Sequence, residues 1–402
     1  MHIAVAHLSL NFHGGAERLC LSVIEALKRA GYETTLVTVD KTDWKSARKI
    51  IGSVVLPDHE VFFTEIRFSK QLSLATIILF FITFVIEIVQ LRLKRKYDLV
   101  INTFGDLFTF MSDVAYVHFP LRANLEYSQT PPIMGAFKWR VCSQFYNLCF
   151  KLFDKVDHSV ILVNSTFIAK LVERFTHRKS IVVHPPVDTK ASLNTQNQKR
   201  TNTIVTISRY SPKRHLETIP LIAKYTKSAD FMIMGNADES SAGTIQSLNE
   251  LIDNLELRGK VKMLTNVSRS TLLGVLSTSK VYLHVMPQEH FGISVVEAMA
   301  NGCVPMVHRS GGPWLDILEQ KQGKYGYAYE TPEEASKYID LLINNEDLRR
   351  ETALRAMKRS MEYDALIFEK KIVETVERIH ELKKEKERDD KTPNIHNCTN
   401  VK

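Results

Sequence analysis

Two carboxylates, Glu289 and Glu297, lie eight positions apart on either side of a glycine turn. The apolar run 281–285 before them is typical of a strand, and residues 294–301 have helical spacing that stops at Gly302. We therefore expect Glu289 in a loop and Glu297 on a helix. A helix that begins beside a glycine offers free backbone N–H groups and a positive dipole end, which suit a phosphate. Because carboxylates accept hydrogen bonds from hydroxyls, Glu289 is expected to hold a polyol and Glu297 a ribose.

The same stretch resembles a known family. Residues 289–297, E-H-F-G-I-S-V-V-E, are similar to the E-x7-E signature of the retaining glycosyltransferases of family four. The similarity continues through 298–305 and through 310–317, S-G-G-P-W-L-D-I, so a merely solvated helix face is a weak explanation for the two glutamates. Within that family these motifs are most similar to those of enzymes that add α-1,2-mannose to a lipid-linked oligosaccharide from GDP-mannose.

The resemblance implies an α/β fold in which two Rossmann-like domains face each other across a cleft, the glycosyltransferase-B fold. It implies a nucleotide-sugar donor, GDP-mannose, and a lipid-linked glycan acceptor. No D-x-D carboxylate pair is present, so no metal or other cofactor is expected. It also implies that Glu289 is catalytic and that the residues after it bind the donor together with Glu297, namely His290, Phe291, Gly292, Ile293 and Ser294.

A basic loop follows the strand expected at 203–208. Cations at the end of a strand can neutralise a diphosphate leaving group, and arginine can do so bidentately, although such a loop can also be simply solvated. The family has an arginine here and a lysine five positions later, whereas this chain has Arg209 and Arg214, with Lys213 beside the second. We predict catalytic roles for Arg209 and Arg214. Which of Lys213 and Arg214 contacts phosphate stays open.

His118 ends another predicted strand, in the sequence Y-V-H-F-P. The carboxyl ends of strands in open α/β sheets are where ligands bind, but an ordinary buried histidine is the simpler interpretation of the residue alone. The sequence looks like the Y-x-H-x-P element of the lipid-linked mannosyltransferases. That resemblance implies that His118 lies beside the transferred sugar and is catalytic.

The N-terminus predicts a β-α-β unit, with a strand at 2–6, a helix that Gly31 ends, and a second strand at 34–39. The connecting turn contains Gly14 and Gly15 in G-G-A-E and lacks the G-x-G-x-x-G fingerprint of dinucleotide binders. Adjacent glycines let the backbone approach a diphosphate closely, and they also suit a tight turn with no ligand. In the resembled family this loop lies against the donor phosphates and the acceptor.

Composition limits the class of protein. A chain of 402 residues with 44% hydrophobic and 24% charged residues predicts a globular protein of two domains. The net charge of +8 favours an anionic partner, and the resemblance favours a nucleotide sugar and an anionic membrane surface over nucleic acid. Five scattered cysteines without a C-x-x-C pair fit a reducing compartment. No signal peptide is recognisable, so the cytoplasmic side of a membrane is expected.

The segment 72–90, LSLATIILFFITFVIEIVQ, is unusually apolar. Its uninterrupted core is shorter than the roughly 20 residues that span a bilayer, and basic residues flank it on both sides. Three interpretations compete: a buried helix, an in-plane membrane helix and a true span. We favour monotopic or peripheral attachment, because a strand resumes at 97–102 and a span would interrupt the domain.

Prolines followed by a polar run predict a linker between the domains. We place an acceptor-side domain at 1–188, the linker at 189–202 and a nucleotide-sugar domain at 203–364. A helix at 365–382 is expected to cross back to the first domain, and 383–402 is expected to be a charged, frayed tail.

These observations predict a retaining hexosyltransferase that moves mannose from GDP-mannose to a lipid-linked glycan. A UDP-sugar transferase of the same fold is the alternative within the class, together with a sugar phosphorylase. A nicotinamide oxidoreductase shares paired Rossmann-like halves, but the missing fingerprint argues against it. A binding-only protein is disfavoured by the presence of Glu289, Glu297, Arg209 and His118.

Overall fold

The computed structural model describes residues 1–12, 14–52, 54–66, 79, 82–84, 86, 90, 96–105, 109, 112–120, 123, 144, 159–189 and 199–391. The chain divides into two units by its internal contacts. The first comprises Met1–Val163, Leu171–Val183 and Glu369–Lys402, and the second comprises Asn164–Lys170 and His184–Phe368.

The first unit contains a parallel sheet in the order β3-β2-β1-β4-β5-β6-β7. Its strands are β1 His2–Ala6, β2 Glu33–Asp40, β3 His59–Thr64, β4 Leu99–Asn102, β5 Val114–Val117, β6 Val160–Val163 and β7 Ile181–Val182. Its helices include α1 Gly15–Arg29 and α2 Trp44–Ile51, and the change of unit falls inside α3 Thr166–Thr176. The apolar positions of α1 recur at helical spacing and are buried, which is why this helix covers the sheet.

The second unit contains a parallel sheet in the order β10-β9-β8-β11-β12-β13. Its strands are β8 Thr201–Ile207, β9 Asp230–Gly235, β10 Val261–Thr265, β11 Ser279–His284, β12 Val304–His308 and β13 Tyr327–Tyr329. Its helices are α4 Thr218–Tyr225, α5 Ala242–Asn254, α6 Arg269–Thr278, α7 Ile293–Ala300, α8 Pro332–Asn344 and α9 Glu346–Ser360. The central strands β8 and β11 are buried over residues 204–206 and 281–284, as parallel strands covered on both faces must be.

The predicted α/β class with two Rossmann-like domains is confirmed, since each unit is a parallel sheet with helical connections. In both sheets the strand order reverses direction next to the first strand, which is where open α/β sheets bind ligands beyond the carboxyl ends of their strands. We call that side of each sheet its carboxyl edge.

Two predicted boundaries need correction. Strand β8 begins at Thr201, inside the predicted linker 189–202, of which 190–198 lie outside the described residues. The final helix α10 runs Ala365–Lys391 and does not stop at residue 382. The composition of its charged end is typical of a solvated tail. In the structure, however, Lys383 donates to the backbone carbonyl of Asp98 at 2.9 Å and pairs with Asp113 at 2.9 Å. These contacts belong to the first unit and explain why the helix continues.

The apolar segment 72–90 falls mostly outside the described residues. Within it, Phe84 is buried and meets the ring of Phe104 edge to face at 5.9 Å, whereas Leu79, Ile82 and Ile86 are about half exposed. Across the described part of the chain, no helix combines the length and the apolar character needed to cross a membrane. The choice among the three interpretations of this segment stays a prediction.

Candidate active site

Glu289 lies in the loop between β11 and α7, at the carboxyl edge of the second sheet. The loop turns into the helix at Gly292, whose φ of +93° is unfavourable for residues with a side chain. A Cβ there would also lie 3.0 Å from Pro313 Cγ and 3.1 Å from Val295 Cγ2. The glycine therefore sets the angle at which the loop enters α7, and the predicted loop and helix positions of Glu289 and Glu297 are confirmed.

Basic groups surround the Glu289 carboxylate. Arg214 Nη1 donates to Oε2 at 2.9 Å, His284 Nε2 lies 3.4 Å from the same oxygen, and the backbone N–H of His290 donates to Oε1 at 3.0 Å. Burial alone would raise the pKa of this carboxyl, but the hydrogen bond and charge of His284 and the charge of Arg214 outweigh burial and hold the pKa well below its usual range. Glu289 is therefore ionised at neutral pH and acts as a hydrogen-bond acceptor.

The basic loop supplies Arg214 to this cluster. Arg214 ends a short 3-10 helix, Pro212–Arg214, that follows β8, and its Nη1 also lies 3.0 Å from Met286 Sδ. Lys213 and Arg209 are exposed in the same loop. The structure thus brings the predicted residues Arg214 and Glu289 together, with Arg214 where the resembled family has lysine.

His284 was missed by the sequence analysis as a site residue. It is the last residue of β11, its side chain is 9% exposed, and its Nδ1 has no hydrogen-bond partner among the described residues. Its position at the end of a central parallel strand was the available signal. An ionisable side chain there should have been considered beside Glu289.

We call residues 285–292, the loop that carries Glu289, the acidic loop. A second glycine loop, 310–313, supports its backbone. Gly312 N–H donates to Glu289 O at 2.8 Å, and Ser310 Oγ accepts from Gln288 N–H at 2.8 Å. A Cβ on Gly311 would lie 2.7 Å from Glu289 N, and a Cβ on Gly312 would lie 2.2 Å from His290 O. Both glycines are required because two stretches of backbone pass at contact distance.

Glu297 lies on α7 with its side chain 14% exposed and binds Arg269 Nη2 at 2.6 Å. Arg269 begins α6, and its guanidinium is 52% exposed. Burial would lower the pKa of this guanidinium, but Glu297 outweighs burial and raises it. No spacing in the sequence indicated this pair, and the predicted ribose contact of Glu297 stays a prediction.

Three of the predicted donor-binding residues differ in their surroundings. Phe291 is 2% exposed, stacks on the ring of His184 at 5.2 Å and meets Tyr363 at 5.3 Å, so its side chain is part of the core, and its predicted role in donor binding stays a prediction. Ser294 is half-buried in the first turn of α7. Burial lowers the pKa of His290, which keeps its imidazole neutral at neutral pH.

The buried Asp316 explains part of the S-G-G-P-W-L-D-I run. Its carboxylate accepts from Thr166 N–H at 2.9 Å, from Thr166 Oγ1 at 2.7 Å and from His184 Nε2 at 3.0 Å. All three residues belong to the second unit, and His184 is the first residue after the chain returns to it. Asp316 therefore fixes the local backbone at that return.

The first unit presents the glycine turn at the start of α1. Gly14 N–H donates to Glu17 Oε2 at 2.7 Å, so this amide is satisfied inside the turn. A Cβ on Gly14 would lie 2.7 Å from the same oxygen, whereas a Cβ on Gly15 would meet nothing within 4 Å. Of the two predicted donor-binding glycines, Gly15 faces open space and Gly14 is held by its own helix.

A buried histidine lies beneath this turn. His7 Nδ1 is 3.0 Å from Thr103 Oγ1, and Thr103 Oγ1 donates its proton to Ala6 O at 3.1 Å, so Nδ1 must carry a proton. His7 Nε2 then faces Glu17 Oε1 at 3.9 Å. Burial alone would lower the pKa of His7, but Cys20 and Glu17 outweigh burial and raise it to about 9. His7 and Glu17 are therefore an imidazolium–carboxylate pair at neutral pH.

His118 follows β5 at the carboxyl edge of the first sheet. Its Nε2 lies 3.0 Å from the carbonyl oxygen of Thr103, so this nitrogen donates, and its ring lies 5.2 Å from that of Tyr116. Thr103 thus contacts both His118, through its backbone, and His7, through its side chain. The predicted residue His118 and the predicted glycine turn share one sheet edge.

Among the described residues, no group of three or more His, Cys, Asp or Glu side chains is arranged to hold a metal ion. The expectation that no metal is needed stays a prediction.

Comparison with protein families gives one match to the second unit. Residues 189–359 match the family described as glycosyl transferases group 1. This region includes Arg209, Arg214 and both glutamates of the acidic loop and α7.

Curated relatives carry one recurring name, GDP-Man:Man(3)GlcNAc(2)-PP-Dol alpha-1,2-mannosyltransferase. The protein of that name from Dictyostelium discoideum is 26% identical over 284 residues, which is 60% of this chain and 56% of the relative. The one from Mus musculus is 31% identical over 194 residues, which is 44% of this chain and 39% of the relative. The chain spans about half the length of the curated relatives it matches.

Solved structures match nearly the whole chain. Sucrose-phosphate synthase from Thermosynechococcus elongatus has a TM-score of 0.71 at 13% identity and covers 94% of this chain and 99% of its own. Anabaena HepE, solved with UDP and glucose, has a TM-score of 0.68 at 17% identity, with 94% and 99% covered. At such identities the likeness concerns the fold alone, and it confirms the predicted two-domain glycosyltransferase fold.

Proposed function

From the premise that this chain carries a group 1 glycosyltransferase domain on a glycosyltransferase-B fold, we propose that it is a retaining mannosyltransferase using GDP-mannose. The observation that carries the proposal is the Glu289 cluster, an ionised carboxylate with Arg214 and His284 against one oxygen. The name shared by the curated relatives supports mannose as the sugar and GDP as the leaving group.

The proposed chemistry divides the charges of the transition state between two kinds of group. As the bond from the sugar to the diphosphate breaks, positive charge grows on the ring and negative charge on the departing phosphate. Glu289 accepts hydrogen bonds from the sugar hydroxyls, and Arg214, Arg209 and Lys213 supply positive charge for the phosphates. Charge arranged in advance of the reaction is usually the largest single contribution to catalysis.

The backbone at the start of α7 completes the donor site in this proposal. The N–H groups that follow Gly292 lie at the positive end of the helix dipole and bind the diphosphate. Glu297, held by Arg269 at 2.6 Å, accepts from the ribose hydroxyls. The acceptor hydroxyl forms its bond to the anomeric carbon on the face from which the diphosphate departs, so the anomeric configuration is kept. The departing phosphate takes the proton of that hydroxyl, so neither a separate base nor a metal is required.

For the acceptor we propose a lipid-linked glycan, by analogy with the dolichol diphosphate in the names of the relatives. The acceptor lies next to His118 and the glycine turn of the first unit, and the reaction takes place on the cytoplasmic side of a membrane with an anionic surface. The net charge of +8 is consistent with that location.

A donor panel and a transfer assay test the proposal. The melting temperature of the purified chain should rise with GDP more than with UDP, ADP or NAD, because a ligand stabilises the folded state that binds it. Labelled GDP-mannose should then give a lipid product from synthetic diphosphate-linked glycans, with EDTA present. Release of the label by an α-mannosidase would support retention. A stronger shift with UDP, together with transfer from a UDP-sugar, would refute the donor assignment.

A further inference from the structure

The second unit contains a cavity of about 690 Å³ that is unrelated to the Glu289 cluster. Its walls come from the residues before β8, the start of β11, the turn after α7, and α9. They are Lys199, Arg200, Lys280, Gly302, Glu346, Arg349, Arg350, Ala353, Leu354 and Met357. These segments meet at the amino ends of β8, β11 and β12, and Glu289 follows the carboxyl end of β11. A strand of this length separates the two places by about 20 Å.

The charge of this cavity is strongly unbalanced. Its lining holds five cationic side chains and one carboxylate, an excess of four positive charges. The carboxylate, Glu346, is shared by Arg349 at 2.7 Å, Arg350 at 2.9 Å and Lys280 at 3.2 Å. Hydrogen bonding by Arg349 is the main reason that the pKa of Glu346 falls to about 2. One carboxylate cannot neutralise three neighbours, so positive potential remains.

Two of the cations are held in place by the fold. Arg200 Nη1 donates to Ser279 O at 2.6 Å, and its Nη2 donates to Asn301 O at 2.6 Å. Gly302 has a φ of +79°, and a Cβ there would lie 2.4 Å from Arg200 Nη2. Arg349 is 5% exposed. Burial and the charge of Arg349 both lower the pKa of Arg200, which means that two like charges are kept together at a cost.

The wall that α9 forms is also partly apolar. Leu354 is 57% exposed, whereas Ala353 and Met357 beside it on α9 are buried. Hydrophobic side chains at the mouth of a cationic cavity suit a ligand that has both an anionic and an apolar part. A bare inorganic ion would leave this wall unused.

We propose that the cavity binds an organic phosphate. The phosphate lies among Lys199, Arg349 and Arg350, and the apolar part of the ligand lies against Leu354. Binding relieves the repulsion among the cations, and arginine forks match the geometry of phosphate oxygens. The phosphate belongs either to a free metabolite or to a lipid headgroup. The site goes beyond the proposed transferase activity and does not depend on it.

The first test uses inorganic pyrophosphate as the probe, in calorimetry on the full chain without a nucleotide. A donor site could bind the same probe, so variants of the cavity lining identify the site. The double variant Lys199→Glu, Arg350→Glu should bind at least tenfold more weakly. Lys358→Glu makes one such charge reversal at an exposed position of α9 outside the cavity and should bind as the unchanged chain does. Equal losses in both variants, or no binding in the unchanged chain, would overturn the proposal.

A second arm identifies the source of the phosphate. Vesicles of phosphatidylcholine with 20% phosphatidic acid are floated with the unchanged chain, the double variant and Lys358→Glu. Flotation lost only in the double variant supports a lipid headgroup, and unchanged flotation together with the calorimetric loss supports a free organic phosphate. Melting curves of Lys199→Glu alone, an exposed position, confirm that a loss of binding is not a loss of folding. Because GDP binding is measured separately, failure of the transferase proposal leaves this result readable.

Discussion

The acidic loop of the second unit and the glycine turn of the first unit contain the same pair of residue types, but the pair has a different role in each. In each, a carboxylate lies beside a histidine at the carboxyl edge of a parallel sheet. Glu289 lies 3.4 Å from His284, which ends β11, and Glu17 lies 3.9 Å from His7, which follows β1. In each, the pKa of the carboxyl is lowered despite burial. Residue type, position and ionisation therefore do not separate the two.

The difference lies in the third partner. The remaining oxygen of Glu17 is taken by the amide of Gly14 at 2.7 Å, so the pair braces the turn from inside. Glu289 also accepts from a backbone amide, that of His290 at 3.0 Å, but in addition it meets Arg214, whose side chain is 25% exposed. A guanidinium at the surface can exchange or share its carboxylate with a ligand, whereas a backbone amide within a turn cannot. We infer that the first pair organises structure and the second recognises substrate.

Glu289→Gln is the variant for which this contrast predicts the largest effect. The amide keeps the size of the side chain but removes the charge that holds Arg214 and accepts from sugar hydroxyls. We expect kcat/KM for mannose transfer to fall about 10³-fold, as when one preorganised polar group is lost from an active site. The melting temperature should also fall, because the charged carboxylate is stabilised in the folded chain by His284 and Arg214, so transfer is compared at a temperature where the variant is folded. Glu250→Gln, on the exposed face of α5, is the matched control. Near-normal transfer by Glu289→Gln would make this pair structural too.

Support of the acidic loop is tested by Gly312→Ala. The new methyl group would lie 2.2 Å from His290 O, and since both groups are backbone-fixed, the loop must shift. A displacement of about 1 Å costs about 100-fold in rate, and the strain should cost about 2 kcal/mol of stability. Gly274→Ala in α6 is the control, because a Cβ there meets nothing within 4 Å. If both variants transfer mannose equally well, the glycine loop does not position Glu289.

How far the sequence predicts the structure differs between these regions. The loop position of Glu289 and the helical position of Glu297 follow from glycine placement and apolar spacing, which are local signals. The contact of Arg214 with Glu289 spans 75 positions, and that of Arg269 with Glu297 spans 28, so both depend on which strands are neighbours in the sheet. Spacing along the chain carries no such information. The resemblance supplied a residue at position 214, but not its partner.

Two features that the local sequence pattern does not show have physical causes of the same kind. Phe291 lies between two predicted ligand-binding residues, yet its side chain is buried because the turn at Gly292 directs it toward His184 and Tyr363. The charged end of α10 looks like a solvated tail, yet it remains helical because Lys383 finds Asp113 in the first unit. In both cases a tertiary contact decides what the local pattern leaves open.

In the glycine turn, the expected effect of losing the carboxylate is on stability before activity. Glu17→Ala removes the acceptor of the Gly14 amide and the carboxylate that faces His7, so we expect a loss of about 2 kcal/mol and a smaller, about tenfold, loss of transfer. Glu17→Gln keeps an oxygen for the amide but not the charge opposite His7, so it should recover only part of the stability. Thermal unfolding and transfer rates of the two variants decide it. A loss of activity without a loss of stability in Glu17→Ala would mean that Glu17 recognises substrate, as we infer for Glu289.

The last expected effect is on stability alone and not on transfer, and it is a dependence on pH. Because the pKa of His7 rises from 6.5 in the unfolded chain to about 9 in the folded one, its stabilising contribution is complete below pH 6.5 and is lost as pH rises through about 9. The shift corresponds to at most about 3 kcal/mol. The wild-type chain should therefore melt at a lower temperature at pH 9.5 than at pH 6.5. In His7→Asn most of this difference should disappear, even if the variant melts at a lower temperature than the wild type at both pH values. His59→Asn, which removes an exposed histidine paired with Glu33 in the same unit, should keep it. An unchanged pH difference in His7→Asn would mean that the buried histidine is neutral, and the glycine turn would then be braced by Glu17 alone.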